Sequence, residues 1–278
     1  MSRPPVDLHT HSTASDGGLS PTELVQAAAA RGVRCLALTD HDTCAGVAEA
    51  RAAAQEAGIQ LVSGIELSSV WEGRGVHVVG LDIDIDHPAI KDAEAHQRTA
   101  REIRAEEIAV RLEKRGAAGV MPLARKHAGP ALVGRPHFAR ALVELGVVES
   151  EGEAFKRYLG AGKVGDIRAH WPEMATVIRW IKDGGGIAVL AHPGKYDLSW
   201  TKLRRLVSEF VTAGGEAIEV SYGGENPERI RELGRMANKQ QLLASVGSDY
   251  HRPEYHWTDL GKFPPLPEPV TGVWERWI

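Results

Sequence analysis

Short apolar runs that end in a histidine or a carboxylate constrain this chain more than any other feature. Cys35-Leu36-Ala37-Leu38-Thr39 leads into Asp40-His41-Asp42, and Gln60-Leu61-Val62-Ser63 into Gly64-Ile65-Glu66. Ile187-Ala188-Val189-Leu190 leads into Ala191-His192-Pro193, and Leu242-Leu243-Ala244-Ser245 is followed by Gly247-Ser248-Asp249-Tyr250-His251. Near the start, Val6-Asp7-Leu8 opens onto His9 and His11, whose imidazoles share one side of an extended chain. Asp16 follows in a glycine-containing loop, and His77 lies within Val76-His77-Val78-Val79. Such groups are costly to bury unless paired or bound, so the fold must collect them in one polar place.

Helical patterns alternate with these runs. Helices are predicted over 21–31, 47–57, 171–183, 203–213 and 228–238, with Ser20 as an N-cap, Pro21 in the first turn and Gly32 as the stop. Strands are predicted over 34–39, 60–63, 67–71, 75–81, 186–190, 217–221 and 241–245, with a hairpin around Gly73. Alternation of this kind predicts an α/β chain of parallel strands and crossover helices, and the strand count suits a closed or nearly closed barrel. Residues 88–116 read as one long charged helix, with Ala105, Ile108, Ala109 and Leu112 as its apolar stripe. Short helical stretches follow without a strand, so 96–167 is expected to be a helical insertion between barrel segments 1–95 and 168–278.

In a parallel barrel the carboxyl ends of the strands share one face, where sites are built. His9, His11, Asp16, His41, Glu66, His77, His192, Asp249 and His251 are therefore expected to converge. Imidazole with carboxylate suits Zn, Mn or Fe. The set exceeds the four ligands of a structural zinc and fits two or three ions that share a bridging carboxylate. A lone histidine in an apolar strand, such as His77, is ordinarily a satisfied core residue. The whole set at strand after strand is harder to satisfy without a metal. His87, His96, His127, His170 and His256 lack this placement and are expected at the surface or behind the ligands. Asp40 or Asp42 would either orient the His41 imidazole or cap the next helix.

The chain has 278 residues and a formal net charge of −4, so no overall basic field recruits nucleic acid. Any polyanion would have to be captured locally. The two cysteines, Cys35 and Cys44, imply no disulfide framework. No run approaches a membrane span and no apolar leader precedes Asp7. The expectation is a soluble cytoplasmic protein.

The motifs Asp7-Leu8-His9-Thr10-His11-Ser12, Leu38-Thr39-Asp40-His41-Asp42, Gly64-Ile65-Glu66, Ala191-His192-Pro193 and Gly247-Ser248-Asp249-Tyr250-His251 resemble, in order, those of the polymerase-and-histidinol-phosphatase (PHP) family of metal phosphoesterases. The resemblance implies a distorted (β/α)7 barrel and a trinuclear site. One ion would take His9, His11, Glu66 and Asp249. A second would share Glu66 and add His77 and His192, and a third would take Asp16, His41 and His251. Asp16 stands where many members have histidine, and its harder oxygen favours Mn2+ over Zn2+ there. Val133-Gly134-Arg135-Pro136-His137-Phe138-Ala139-Arg140, Tyr158-Leu159 with Gly162-Lys163, Ala191-His192-Pro193-Gly194-Lys195-Tyr196, Glu219-Val220-Ser221-Tyr222 and Trp257-Thr258-Asp259-Leu260-Gly261 are similar to the branch holding nucleoside bisphosphate phosphatases and 5′→3′ exoribonucleases.

That branch implies hydrolysis of a ribose 3′-phosphate ester beside a recognised 5′-phosphate, on a mononucleotide or a short 5′-phosphorylated RNA. A hydroxide bridging the two ions that share Glu66 would attack phosphorus in line, with Asp249 and His192 completing the reacting centre. The insertion would act as a substrate-binding cap, where Arg135 and Lys163 are candidates for the second phosphate. Lys195 and Tyr196 are similar candidates, and Ser221, Tyr222 and Asn226 would face sugar or base. The competing expectation is another small-molecule phosphatase of the family, acting on a monoester such as histidinol phosphate, with no need of a second phosphate site.

Overall fold

Among the described residues, seven strands follow one another around a single sheet: β1 (Val6–Asp7), β2 (Cys35–Leu38), β3 (Gln60–Trp71), β4 (Arg74–Leu81), β5 (Ile187–Leu190), β6 (Ala217–Tyr222) and β7 (Leu243–Gly247). The structure is a computed structural model that describes residues 5–255, 258–266 and 269–278. The last strand returns to the first. Leu8 N donates to Val246 O at 3.1 Å, Asp249 N to His9 O at 2.9 Å, and His11 N to Tyr250 O at 2.9 Å. The architecture is thus a nearly closed seven-stranded α/β barrel. His256 and Trp257, both named in the sequence reading, lie outside the described residues.

Two strand expectations need correction. The segments 60–63 and 67–71 are one strand, because β3 pairs without a break from Gly64↔Leu81 to Trp71↔Arg74. Gly64 is not a terminus. It is a close approach, since a Cβ there would lie 2.8 Å from Thr39 Cγ2 and 2.9 Å from Leu38 O. The hairpin expected around Gly73 is present, and its second strand also meets β5 antiparallel, so the barrel is not all parallel. β1, β2 and β3 pair in parallel, as do β5, β6 and β7, but β4 runs antiparallel to both neighbours. The hairpin loop consists of Glu72 (φ 47°) and Gly73 (φ 69°). Two positive φ values in a two-residue loop match the twist of antiparallel strands.

Alternation sorts the side chains. Cys35, Ala37, Val62, Val79, Leu81, Ile187 and Val189 pack together inside the barrel. Their neighbours Leu36, Leu38, Ile65, Leu67, Val78 and Leu190 pack outward with the helices. Those helices are α1 (Pro21–Ala30), α2 (Val47–Ala57) and the start of α3 (Pro88–Glu113), then α7 (Met174–Asp183), α8 (Trp200–Thr212) and α9 (Pro227–Lys239). Local chemistry sets their ends. Ser20 and Glu23 cap α1 reciprocally, and Gly58 ends α2 at φ 68°.

The chain divides into two compact units, Met1–Glu94 with Pro172–Ile278, and Ala95–Trp171. The second holds the rest of α3, then α4 (Val120–Ala128), α5 (Arg135–Glu144) and α6 (Glu151–Ala154). Its own core includes Ile108, Leu112, Phe138 and Leu142. Within it, Arg104 Nε donates to Ile167 O at 2.7 Å, and the Arg101 and Arg104 guanidinium groups lie 5.5 and 5.2 Å from the Trp171 ring. Among the described residues, no helix is long and apolar enough to cross a membrane.

Candidate metal centre

Glu66 is the hub of the first unit. It follows Val62 in the inward register of β3 and is fully buried. One carboxylate oxygen lies 2.8 Å from His77 Nδ1 and 3.0 Å from His192 Nε2. The other lies 2.7 Å from His41 Nδ1, 3.4 Å from His9 Nε2 and 3.5 Å from His11 Nε2. Asp249 adds Oδ1 at 3.5 Å from His9 Nε2 and 3.3 Å from His11 Nε2. Asp16 stands 3.5 Å from His251 Nε2 and 3.9 Å from His41 Nε2. All nine residues thus gather at one end of the barrel.

The reversed direction of β4 explains His77. The first half of an antiparallel strand lies at the same end as the carboxyl termini of its parallel neighbours, so a mid-strand histidine reaches the cluster. His192 and Asp249 arrive differently. His192 has φ 26° and Asp249 φ 53°, in the left-handed region, so the chain turns sharply as it leaves β5 and β7.

The donor atoms form groups that lie within 4.8 Å of one another: His11, Asp16, His41 and His251; His9, Glu66 and His192; His9, His11 and Asp249; and His41, Glu66 and His77. His9 Nε2, His11 Nδ1 and His192 Nδ1 are buried without a hydrogen-bond partner among the described residues. Desolvated ring nitrogens without partners are costly, and a mixed imidazole–carboxylate set is what divalent transition metals take. The residues therefore fit such ions.

A PHP-domain model matches residues 7–118. A 5′-3′ exoribonuclease of Haemophilus influenzae is 46% identical over 97% of this chain and 98% of its own length. A 3′,5′-nucleoside bisphosphate phosphatase of Chromobacterium violaceum is 40% identical over 98% of this chain and 95% of its own. The chain belongs to the PHP family. A solved chain from Chromobacterium violaceum, described as an amidohydrolase with bound sulfate and no metal, matches at a TM-score of 0.92 and 40% identity, covering 98% of this chain and 95% of that one.

Electrostatics in the PHP centre are dominated by burial and by the density of charge. Burial alone would lower His9, yet Glu219, Glu66 and Asp249 outweigh it and hold the imidazole well above its usual range. Burial takes His11 down to about 3, helped by His251 and His41. Burial would raise Glu66, but His41, His77 and His9 hold it well below the usual carboxylate range.

Other expected roles fall differently. Asp40 accepts from Ser12 N at 2.8 Å, Ser12 Oγ at 2.6 Å and Ser15 Oγ at 2.6 Å, which shapes the loop carrying Asp16. Asp42 accepts from Ser68 N and Oγ at 2.7 and 2.8 Å. Neither caps α2, whose N-cap is Gly46. Three expected substrate contacts turn to other partners. Ser221 Oγ donates to Pro264 O at 2.6 Å, buried Tyr222 donates to Glu225, and Asn226 caps α9 through Glu228 N at 2.7 Å. The irregularity in β6 between Glu219 and Ser221 alters the side-chain register there.

Lys195 pairs with Asp249, its ammonium 5.5 Å from the Tyr222 ring. In the second unit, Arg135 opens α5 and donates to Leu159 O at 3.1 Å, while Lys163 is exposed. Sequence reading gave Glu219 no role. Its signal was the one that marked His77, an ionisable residue inside an apolar strand.

Tyr196 serves the backbone. Its hydroxyl accepts from His77 N at 2.9 Å and donates to Ala191 O at 2.7 Å, tying the His192 turn to β4. Tyr196→Phe removes both bonds and leaves a backbone donor and acceptor without them. The expected result is a loss of about 1–3 kcal/mol in denaturant unfolding. A variant as stable as wild type would show that water replaces the hydroxyl.

Proposed function

We propose that this chain is a metal-dependent phosphoesterase that hydrolyses the 3′-phosphate ester of 3′,5′-bisphosphonucleotides and acts on short 5′-phosphorylated RNA from its 5′ end. The observation that carries the reading is the Glu66 carboxylate, within 3.5 Å of five imidazoles in a buried cluster. The relatives named as an exoribonuclease and as a bisphosphate phosphatase each span nearly the whole chain, which supports one site for both kinds of substrate.

His9, His11, Glu66 and Asp249 would hold one ion, Glu66, His77 and His192 a second, and Asp16, His41 and His251 a third. Manganese suits the oxygen of Asp16. Bound there, the ions would supply Lewis-acid charge for the phosphoryl oxygens and an acidified water near neutral pH. The protein's own part is to hold the imidazoles in fixed orientation through Glu66 and Asp249, and to place Lys195 as a further cation beside Asp249. Arg135 and Lys163 would take the 5′-phosphate, the guanidinium by its fork and the ammonium as a point charge. The paucity of cysteine suits a reducing cytoplasm.

Elemental analysis of protein never exposed to chelator should find roughly two or three transition-metal ions per chain. Release of inorganic phosphate from adenosine 3′,5′-bisphosphate should stop after chelation and return with Mn2+. Protein with trace metal only, or metal-loaded protein that leaves this substrate intact, would overturn the proposal.

A further inference from the structure

Glu219 lies in β6, 2% exposed, and both of its carboxylate oxygens are engaged. Oε1 is 3.0 Å from His9 Nδ1, and Oε2 accepts the backbone N–H of His192 at 2.5 Å. These partners come from opposite parts of the chain, 210 and 27 residues away. With Nδ1–H donated to Glu219, the lone pair of His9 is left on Nε2. That atom lies 3.4 Å from Glu66 Oε2 and 3.5 Å from Asp249 Oδ1. His192 has backbone angles of 26° and 56°, where a non-glycine residue needs holding, and the bond to Glu219 is made at its own N–H.

The geometry points to Glu219 as the positioning residue for the ion pair around Glu66: one carboxylate aims the His9 ring and fixes the turn that presents His192. This rests on the metal centre proposed above. A carboxylate hydrogen-bonded behind a ligating imidazole fixes its tautomer and raises its basicity. Here the same group also pins the backbone of a second ligand, so the two positions are coupled. The group of His11, Asp16, His41 and His251 shares His11 and His41 with the other groups, while the contacts of Glu219 go to His9 and His192.

Glutamine separates the two duties. It offers a single carbonyl oxygen, and its NH2 cannot accept from the His192 N–H. Glu219→Gln can therefore keep the His192 bond through its carbonyl oxygen, but its NH2 can meet His9 Nδ1 only as a donor, which moves the ring proton to Nε2 where the ion would bind; Glu219→Ala loses both contacts. The experiment is titration of metal-free wild type, Glu219→Gln and Glu219→Ala with Mn2+ alone, following free Mn2+ by its paramagnetic resonance signal. Thermal melts of the same samples monitor the fold.

The expected result is selective. Affinity for the ions held by His9 and His192 falls about 10- to 100-fold in the alanine variant and less in the glutamine variant. Binding at the Asp16–His41–His251 cluster persists in both. Wild-type affinity at every position in both folded variants would overturn the inference. So would a uniform loss of all ions together with a lowered melting temperature, which would mark a merely structural residue. If the alanine variant does not fold, the glutamine variant decides alone. Wild type that takes up no Mn2+ overturns the proposed function and this inference with it.

Discussion

Glu66→Ala is expected to lower kcat/KM for adenosine 3′,5′-bisphosphate by at least about 1,000-fold, or about 4 kcal/mol of transition-state stabilisation. The size follows from position. Glu66 is fully buried and faces His77, His192 and His41 at 2.8, 3.0 and 2.7 Å, so its removal takes the carboxylate from three rings at once. Alanine also removes the charge that faces this group of rings, so metal content should fall with activity. Melting curves of the variant show whether the fold survives. Glu66→Gln keeps the shape without the charge and is expected to be nearly as inactive. The control is His87→Ala. His87 Nδ1 accepts from Ala89 N at 3.2 Å at the start of α3, away from the cluster, and activity should stay within about twofold. Equal residual activity in Glu66→Ala and His87→Ala would show that the hub is misassigned.

The second large effect concerns substrate choice. Arg135→Ala or Lys163→Ala should cost about ten- to a hundredfold in kcat/KM for adenosine 3′,5′-bisphosphate, from the loss of a charge-assisted contact of about 1.5–3 kcal/mol. Adenosine 3′-phosphate should change little, because it carries no 5′-phosphate for these residues to hold. Their binding energy positions the scissile ester rather than activating it. Arg135 is the better ordered of the two. Its guanidinium donates to Leu159 O at 3.1 Å and lies 6.0 Å from the Phe155 ring, so it is partly ordered in advance. Lys163 is exposed and must give up more side-chain freedom to bind. Arg135→Ala should therefore cause the larger fall. Equal falls on both substrates would assign these residues to the chemistry or the fold. No fall on either would make them surface charges.

The relatives give the family, but the residues already carried much of it. Ser20 with Pro21 and Glu23 encodes the start of α1, and Gly58 the stop of α2, because a capping bond and a positive φ are decided within a few residues. The placement of His41, His192 and Asp249 past apolar runs was legible for the same reason, whereas Glu66 sits inside β3 and not past its end. A short continuous apolar run followed by a polar residue is a local pattern. Gly64 shows the limit of such reading. In sequence it resembles a strand end, and only its pairing with Leu81 and the approach of Leu38 and Thr39 at the end of β2 reveal it as the interior of β3.

What the sequence by itself determined, then, is the set of chemical groups and the apolar runs that carry them. Tertiary structure decided how those groups meet. The pairing of β4 with β5 brings His77 beside the His192 turn, the left-handed turns at His192 and Asp249 redirect the chain as it leaves its strands, and the irregularity in β6 accompanies the turning of Ser221 to Pro264. Glu219 meets His9 across 210 residues. Such partners are chosen when the barrel closes, because burial leaves each polar group only the partners that packing brings within reach, and no local preference encodes which those will be.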